Sequence, residues 1–391
     1  MTITSPNISA VEPLTPVMQR DAMTAACAQL KHSLPMFTFA AQNHSSVNNV
    51  YPAVANDQWT SGFWPGSLWL AFEATDDKTF QYAAQVQVQA LLHRIENRIA
   101  TDHHDMGFMY SPSCVAAWKL AGDADGRRAA LLAADQMLER FQEKGAFFQA
   151  WGDMGAPDNY RFIIDCLLNL PLMFWATKET ENPVYAELAR RHMQTSLTHS
   201  IRDDHSTFHT MFMDRETGEA VRGATQQGYS DTSSWARGQA WAITGVAFLY
   251  RLDPTPELKT TFDNLLTYYM ERLPSDLVPY WDLIFTDGEE PRDSSAAAIV
   301  CCGLLEMATC VPADQAAPLR DLAERMLGSL ARHYAVRDPA VSNGLLLHGT
   351  YSKKTPYNGC RGEGVDECVS WGDYFYMEAL TRLSGDWSPY W

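Results

Sequence analysis

The chain has 391 residues, of which 20% are charged and 46% hydrophobic, and its formal net charge is −17. That charge excludes a nucleic-acid backbone and an anionic membrane surface as partners, because both need a basic face. A small anionic ligand held by local donors stays compatible with it, and the apolar content is large enough to exclude disorder over most of the length.

In chain order, the first stretch, MTITSPNISAVEPLTPVMQR, has no charged start followed by an apolar run. No signal peptide is expected there. Residues 1–16 read as an N-terminal extension and 17–391 as one domain, opening with a helix over about 17–33. A repeat follows. An apolar, small-residue segment ends in a short acidic or proline-bearing turn, and an amphipathic helix comes next. The turns are Thr75-Asp76-Asp77, Gly122-Asp123-Ala124-Asp125, Thr180-Glu181-Asn182-Pro183, Asp253-Pro254-Thr255-Pro256, Pro312-Ala313-Asp314 and Ser384-Gly385-Asp386. The apolar segments include 62–72, 161–175, 235–249 and 296–307. The helices after the turns space their apolar residues by three and four, as Ala129, Leu132, Met137, Leu138 and Phe141 do in 125–142.

This pattern predicts an all-α fold, an (α/α)6 barrel of six helical hairpins. The small-residue helices form the inner ring and the amphipathic ones the outer ring. The sixth turn has no helix after it, so helix 17–33 supplies the missing outer member and ties the ends together. An open solenoid is disfavoured by the unequal spacing and by long Gly/Asp/aromatic loops, which suit one rim of a closed barrel. Strand signals are few; Phe208–Asp214 is expected to pair with Glu219–Arg222 across Thr217-Gly218.

Eight cysteines include no CxxC pair. They read as buried free thiols in a reducing compartment. No run of 18 apolar residues occurs, so no membrane span and a cytoplasmic location are expected.

The residues that carry chemistry sit mostly in the rim-like segments. Aromatics make up 12% of the chain, with 12 Trp, and clusters such as Trp59-Thr60-Ser61-Gly62-Phe63-Trp64 suit sugar faces as well as core packing. Asp165 stands in RFIIDCLLNL with Arg161 and Asn169 at four-residue spacing, expected on one face of an inner helix. Two readings stay open: an intrahelical Arg161–Asp165 ion pair, or a half-buried general acid at the barrel mouth. Asp105, in DHHDMGF, reads as a helix cap, as the second carboxylate of a glycosidase pair, or, weakly, as part of a metal site. Arg237 and Trp241 are four apart and offer a guanidinium beside an indole to a substrate carboxylate, or an Arg packed on a Trp. Asp231 and Asp293 read as N-caps.

WTSGFWPGSLWLAFE (59–73), HHDMGF (103–108), RFIIDCLLNLPL (161–172), STFHTMFMDRETGE (206–219), QGYSDTSSWARGQAW (227–241), PRDSSAAAI (291–299) and SWGDYFYMEAL (370–380) together resemble the unsaturated glucuronyl hydrolases, glycoside hydrolase family 88. The resemblance implies a six-hairpin helical barrel that removes a 4,5-unsaturated uronic acid from the non-reducing end of a lyase-made disaccharide. It implies Asp165 as general acid and base, and Asp105 as the second essential aspartate. It also implies a pocket lined by Trp59, His104, Trp151, His209, Gln227, Arg237 and Trp241, with Ser352 and Lys354 at the next sugar, and no metal or organic cofactor. Two departures bear on sulfate: Gln226 stands where sulfate-preferring members carry Arg, and only Gly349-x-x-Ser352-x-Lys354 matches their Ser-x-x-Ser-x-Lys. A strong preference for sulfated substrates is therefore not expected. The alternatives are a rhamnogalacturonyl hydrolase, an inverting hydrolase of saturated sugars and a non-catalytic sugar-binding barrel. A monomer or homodimer is expected.

Overall fold

A computed structural model describes residues 8–385 and 387–391. The first seven residues of the expected extension and Asp386 of the sixth turn lie outside the described residues. The helices are α1 (Pro16–Phe37), α2 (Phe63–Thr75), α3 (Lys78–Glu96), α4 (Met106–Tyr110), α5 (Ala116–Ala121), α6 (Ala124–Leu138), α7 (Leu170–Thr180), α8 (Val184–Ser200), α9 (Ala236–Leu252), α10 (Pro256–Met270), α11 (Ser294–Cys310), α12 (Ala313–Ser329) and α13 (Ser370–Arg382). None of them is long and apolar enough to cross a membrane.

The repeat folds as the six-hairpin barrel. α2, α4–α5, α7, α9, α11 and α13 form a closed inner ring, in which α13 packs against both α11 and α2. α3, α6, α8, α10 and α12 back them, and α1 takes the sixth outer place behind α13 and α2. Gln19 Nε2 donates to Leu380 O at 2.8 Å and to Ser384 Oγ at 2.7 Å, so the two ends of the chain are tied. Within the ring the small residues set the spacing. A Cβ on Gly303 of α11 would lie 2.7–2.8 Å from Thr244 of α9, so only hydrogen fits at that crossing.

The turns at one end are short because their chemistry stops and restarts a helix within a few residues. Asp76, Gly122 and Glu181 close α2, α5 and α7 in the left-handed region. Asp77, Asp123 and Thr255 cap α3, α6 and α10 with their side chains. The other end carries all six long connections, 38–62, 97–105, 139–169, 201–235, 271–293 and 330–369, where each inner helix begins. These loops fold into small antiparallel sheets. The expected hairpin forms between Thr210–Met213 and Ala220–Ala224. Arg161–Ile163 adds a third strand to it, with Ile163 opposite Thr210.

That third strand corrects one expectation. Asp165 is not inside an α-helix: strand Arg161–Ile163 runs into a short 3-10 turn, Ile164–Leu168, and α7 starts only at Leu170. Pro171 has no N–H and fits only a first helical turn, so the helix cannot extend back through Asp165. The shared helical face of Arg161, Asp165 and Asn169 does not exist, and Arg161 donates instead to Asn159 Oδ1 at 2.7 Å. Asp231 caps no helix either. Its carboxylate takes the Thr225 N–H at 2.8 Å and braces the loop, while α9 begins after Trp235.

Candidate active site

The long-loop end gathers the candidate residues, and the packing of loop on loop explains how. Gly107 is the closest crossing. A Cβ there would sit 2.4 Å from Asn169 Cα, so α4 and the 164–169 turn touch backbone to backbone. Asn169 locks the contact: its Oδ1 takes the Phe108 N–H at 2.8 Å, and its Nδ2 lies 3.4 Å from Asp165 O. Asp105 and Asp165 therefore arrive from two loops on either side of one bolt.

His104 stands between them. Its Nε2 lies 3.4 Å from Asp105 Oδ1 and 3.5 Å from Asp165 Oδ1. The three donor atoms lie within 4.8 Å of one another. His104 is fully buried, and neither of its ring nitrogens nor Asp165 Oδ1 has a hydrogen-bond partner among the described residues. The third group near the His-His-Asp segment thus comes from Asp165 across the fold rather than from a second sequence cluster.

Burial dominates the electrostatics. It pushes the Asp105 carboxyl up to about 8 against the opposing pull of Asn169 and Arg140. The same burial, with the Asp105 charge beside it, raises Asp165 well above the carboxylate range, although Arg237 and Arg161 oppose. Two acids this close and this dry resist ionising together near neutral pH. Asp165 keeps 15% of its side chain open, against 3% for Asp105, so Asp165 is the one that faces the cleft. His104 is pushed far down by its burial and stays a neutral imidazole.

The remaining candidates line two sides of this trio. Trp59 stacks on Trp371 at 5.2 Å and 24°. Trp151, 38% exposed, stacks on His103 at 4.5 Å and 14°. His209 is buried against Trp235, and its Nδ1 accepts the Gln226 N–H at 3.0 Å. That acceptance places its remaining hydrogen on Nε2 as a donor. Gln227 gives its carbonyl oxygen to Arg237 Nη2 at 2.6 Å, which leaves its amide hydrogens available.

Arg237 is where the structure departs from the sequence reading. It is 1% exposed and its four terminal N–H bonds are taken: Nη1 by Asp293 Oδ2 at 2.5 Å and Thr350 O at 2.7 Å, Nη2 by Gln227 Oε1 and by Tyr351 O at 2.7 Å. Its aromatic neighbours are Trp235 at 4.4 Å and Trp371 at 4.8 Å, not Trp241. Trp241 is buried under Phe108, with ring centroids 5.0 Å apart. The guanidinium bolts α9 to the strand Gly349–Ser352, and Asp293, at the expected N-cap position of α11, makes no capping bond with its side chain and serves as the counter-ion. Ser352 is buried and its Oγ takes the Glu363 N–H at 3.2 Å. Lys354 is exposed, while Lys353 is held by Glu290 at 2.6 Å.

Tyr351, Trp371, Asn169 and His103 are site components that sequence reasoning gave no role. Tyr351 meets Trp371 edge-on with ring centroids 5.3 Å apart, and burial, with the Glu363 and Asp105 charges, pushes its hydroxyl up. Of these, Asn169 carried a sequence signal as a lone amide in an apolar run, and His103 as part of the His-His-Asp segment.

Residues 36–355 match Glycosyl Hydrolase Family 88. An unsaturated chondroitin disaccharide hydrolase of Streptococcus agalactiae is 44% identical over 97% of this chain and 94% of its own length. The crystal structure of an unsaturated glucuronyl hydrolase from the same species superposes with a TM-score of 0.95 at 43% identity, over 100% of this chain and 98% of that one. A mutant of that enzyme complexed with dGlcA-GalNAc6S superposes with a TM-score of 0.87 at 40% identity, again over 100% and 98%. With the fold, the paired acids and this likeness over the whole length, the chain belongs to Glycosyl Hydrolase Family 88 and is a glycoside hydrolase.

Proposed function

We propose that this enzyme removes the 4,5-unsaturated uronic acid from the non-reducing end of lyase-generated glycosaminoglycan disaccharides by hydrating the C4=C5 double bond. The observation that carries this reading is the buried Asp105–His104–Asp165 trio, whose ligand atoms lie within 4.8 Å of one another. An inverting displacement needs carboxyl groups roughly 6.5–9.5 Å apart to admit a water, and this pair is too close. A single acid that first donates and then accepts one proton suits an enol ether instead. Asp165 gives its proton to C4, and positive charge develops at C5 and the ring oxygen. Water adds to C5 and returns a proton to Asp165. The resulting hemiketal opens to a C5 ketone and a C1 hemiacetal, which releases the neighbouring sugar. Asp105 keeps Asp165 protonated through its charge and holds sugar hydroxyls.

The uronate carboxylate meets neutral donors: His209 Nε2–H, the Gln227 amide and the Tyr351 hydroxyl. These ask for no counter-charge that the strongly acidic chain would have to supply. Trp59 and Trp151 take the sugar faces. Loop 345–368 forms the place of the second sugar, with exposed Lys354 there as a cation for a sulfate. Gln226 in place of a second cation keeps sulfate preference weak. The eight free thiols fit a cytoplasmic enzyme.

The test is a panel of unsaturated disaccharides from chondroitin and hyaluronan, sulfated and unsulfated, and from pectin, followed by ultraviolet loss of the conjugated double bond. The expected result is turnover of the glycosaminoglycan group, with sulfated and unsulfated members within about tenfold of each other in kcat/KM. Turnover of the pectin-derived member alone would assign the enzyme to the rhamnogalacturonyl class. Tight binding without absorbance loss would make it a sugar-binding barrel.

A further inference from the structure

His103 lies outside the acid trio, yet three of its surfaces are engaged. Its Nδ1 accepts the Asp105 N–H at 3.1 Å and lies 3.3 Å from Asp105 Oδ2. Its Nε2 lies 3.1 Å from Ala100 O. Its ring face carries the Trp151 indole, nearly parallel at 14°. The first contact requires a lone pair on Nδ1 and the second a hydrogen on Nε2, so one neutral tautomer satisfies both. The imidazole is 2% exposed, and no solvent competes for these bonds.

We propose that His103 is a positioning residue that couples the two walls of the uronate site, fixing Asp105 through Nδ1 and orienting the Trp151 indole on its ring face. The proposal rests on the hydration reading for what those walls hold. Trp151 is the most exposed of the candidate stacking aromatics and has no other ring beneath it among the described residues. Without the imidazole its backbone is held while its indole plane is free. Asp105 lacks any other acceptor for its N–H at the start of α4, where no side chain caps the helix.

The surrounding loops do not depend on His103 for their folding. Arg94 holds Ile99 O at 2.9 Å and Ala100 O at 2.7 Å. Arg140 holds Gln149 O at 2.8 Å and Gly152 O at 3.0 Å. The His104 N–H reaches Ala150 O at 2.9 Å. The two amide replacements for histidine then dissect the role. His103→Asn places an oxygen near Nδ1 and keeps the acceptor for the Asp105 N–H, but loses the aromatic face. His103→Gln reaches toward Ala100 O and loses the acceptor as well as the face.

The experiment measures kcat and KM of both variants on an unsaturated chondroitin disaccharide, with amide hydrogen exchange over 103–110. His103→Asn is expected to raise KM about three- to tenfold through the lost stack, with kcat within about threefold of the parent. His103→Gln is expected to lower kcat about ten- to hundredfold and to speed exchange of the Asp105 amide, which His103→Asn leaves slow. Trp151→Ala should add little to the KM of His103→Asn, because the two changes remove one wall. Equal kcat losses in the two variants with equal exchange rates, or additive KM effects with Trp151→Ala, would overturn the coupling and leave His103 a packing residue. Absence of turnover by the parent enzyme would instead sink the hydration reading, and the exchange contrast would still decide the anchoring of Asp105.

Discussion

Replacing Arg237 by Met removes a guanidinium whose four terminal N–H groups all end on protein atoms. The Asp293 carboxylate, 0% exposed, is left with Ser295 Oγ as its neighbour at 2.5 Å. Thr350 O and Tyr351 O lose a donor each. Removing one partner of a buried ion pair costs about 3–5 kcal/mol, because the other charge stays buried without compensation. An unfolding entropy of about 2 cal/mol/K per residue makes a chain this long lose roughly one degree for each 0.8 kcal/mol. The expected fall in Tm is therefore about 4–6 °C by calorimetry. Loosening of Gly349–Ser352 should also raise KM for the disaccharide. Arg237→Met combined with Asp293→Leu should regain most of the Tm, since an apolar pair of similar volume replaces the ion pair at little net cost, yet it should not regain KM. An unchanged Tm with a large loss of substrate binding in Arg237→Met would refute the reasoning and make Arg237 a ligand for the uronate rather than a bolt.

Asp165→Asn should abolish turnover, by about 10⁴-fold or more in kcat, with Tm no lower than that of the parent; a fully active variant would end its assignment as the acid. Loss of the Asp165 proton sets the alkaline limb of kcat/KM, and removing the Asp105 charge removes one cause that raises Asp165, so Asp105→Asn should move the limb of its residual activity to lower pH. Asp105 also binds its proton more tightly folded, at about 8, than unfolded, so its contribution to stability falls as pH rises from about 4 to about 8. Asp105→Asn should consequently be more heat-stable than the parent at pH 8 and no more stable at pH 4, and the reverse order in a melting series would contradict the burial argument. Gly107→Ala, whose Cβ meets the Asn169 backbone at 2.4 Å, should lower stability by about 1–3 kcal/mol and activity by far more, because it separates the loops that carry the two acids.

The barrel was legible because its signals are local. Aspartates in the turns cap helices, as Asp77 and Asp123 do, and glycines such as Gly303 mark close crossings. Even the closing role of α1 followed from an unpaired sixth turn. The helix expected through Asp165 failed because strand pairing of Arg161–Ile163 with Thr210–Met213 spans almost 50 residues of sequence and outweighs a local four-residue spacing. Pro171 was the overlooked stop. At the site, Asp165 was visible as a carboxylate in an apolar run, Asp105 stood in the His-His-Asp segment, and His104 followed from the family resemblance. The partners that decide their chemistry were not. Arg237 meets Asp293 and residues 350–351 only through tertiary packing, and Trp59 stacks on Trp371 from the other end of the chain. His103 looked like half of a metal motif, and its stack on Trp151 has no trace in the spacing.

In the proposed reaction water adds across C4=C5 and not to the anomeric carbon. Running one turnover in D2O and reading the released uronate at once by mass spectrometry tests it directly. Hydration places one solvent deuterium on C4, removes the double bond and leaves a C5 ketone, all absent in Asp165→Asn. Release of a uronate that keeps its double bond and carries no carbon-bound deuterium would show direct displacement and contradict it.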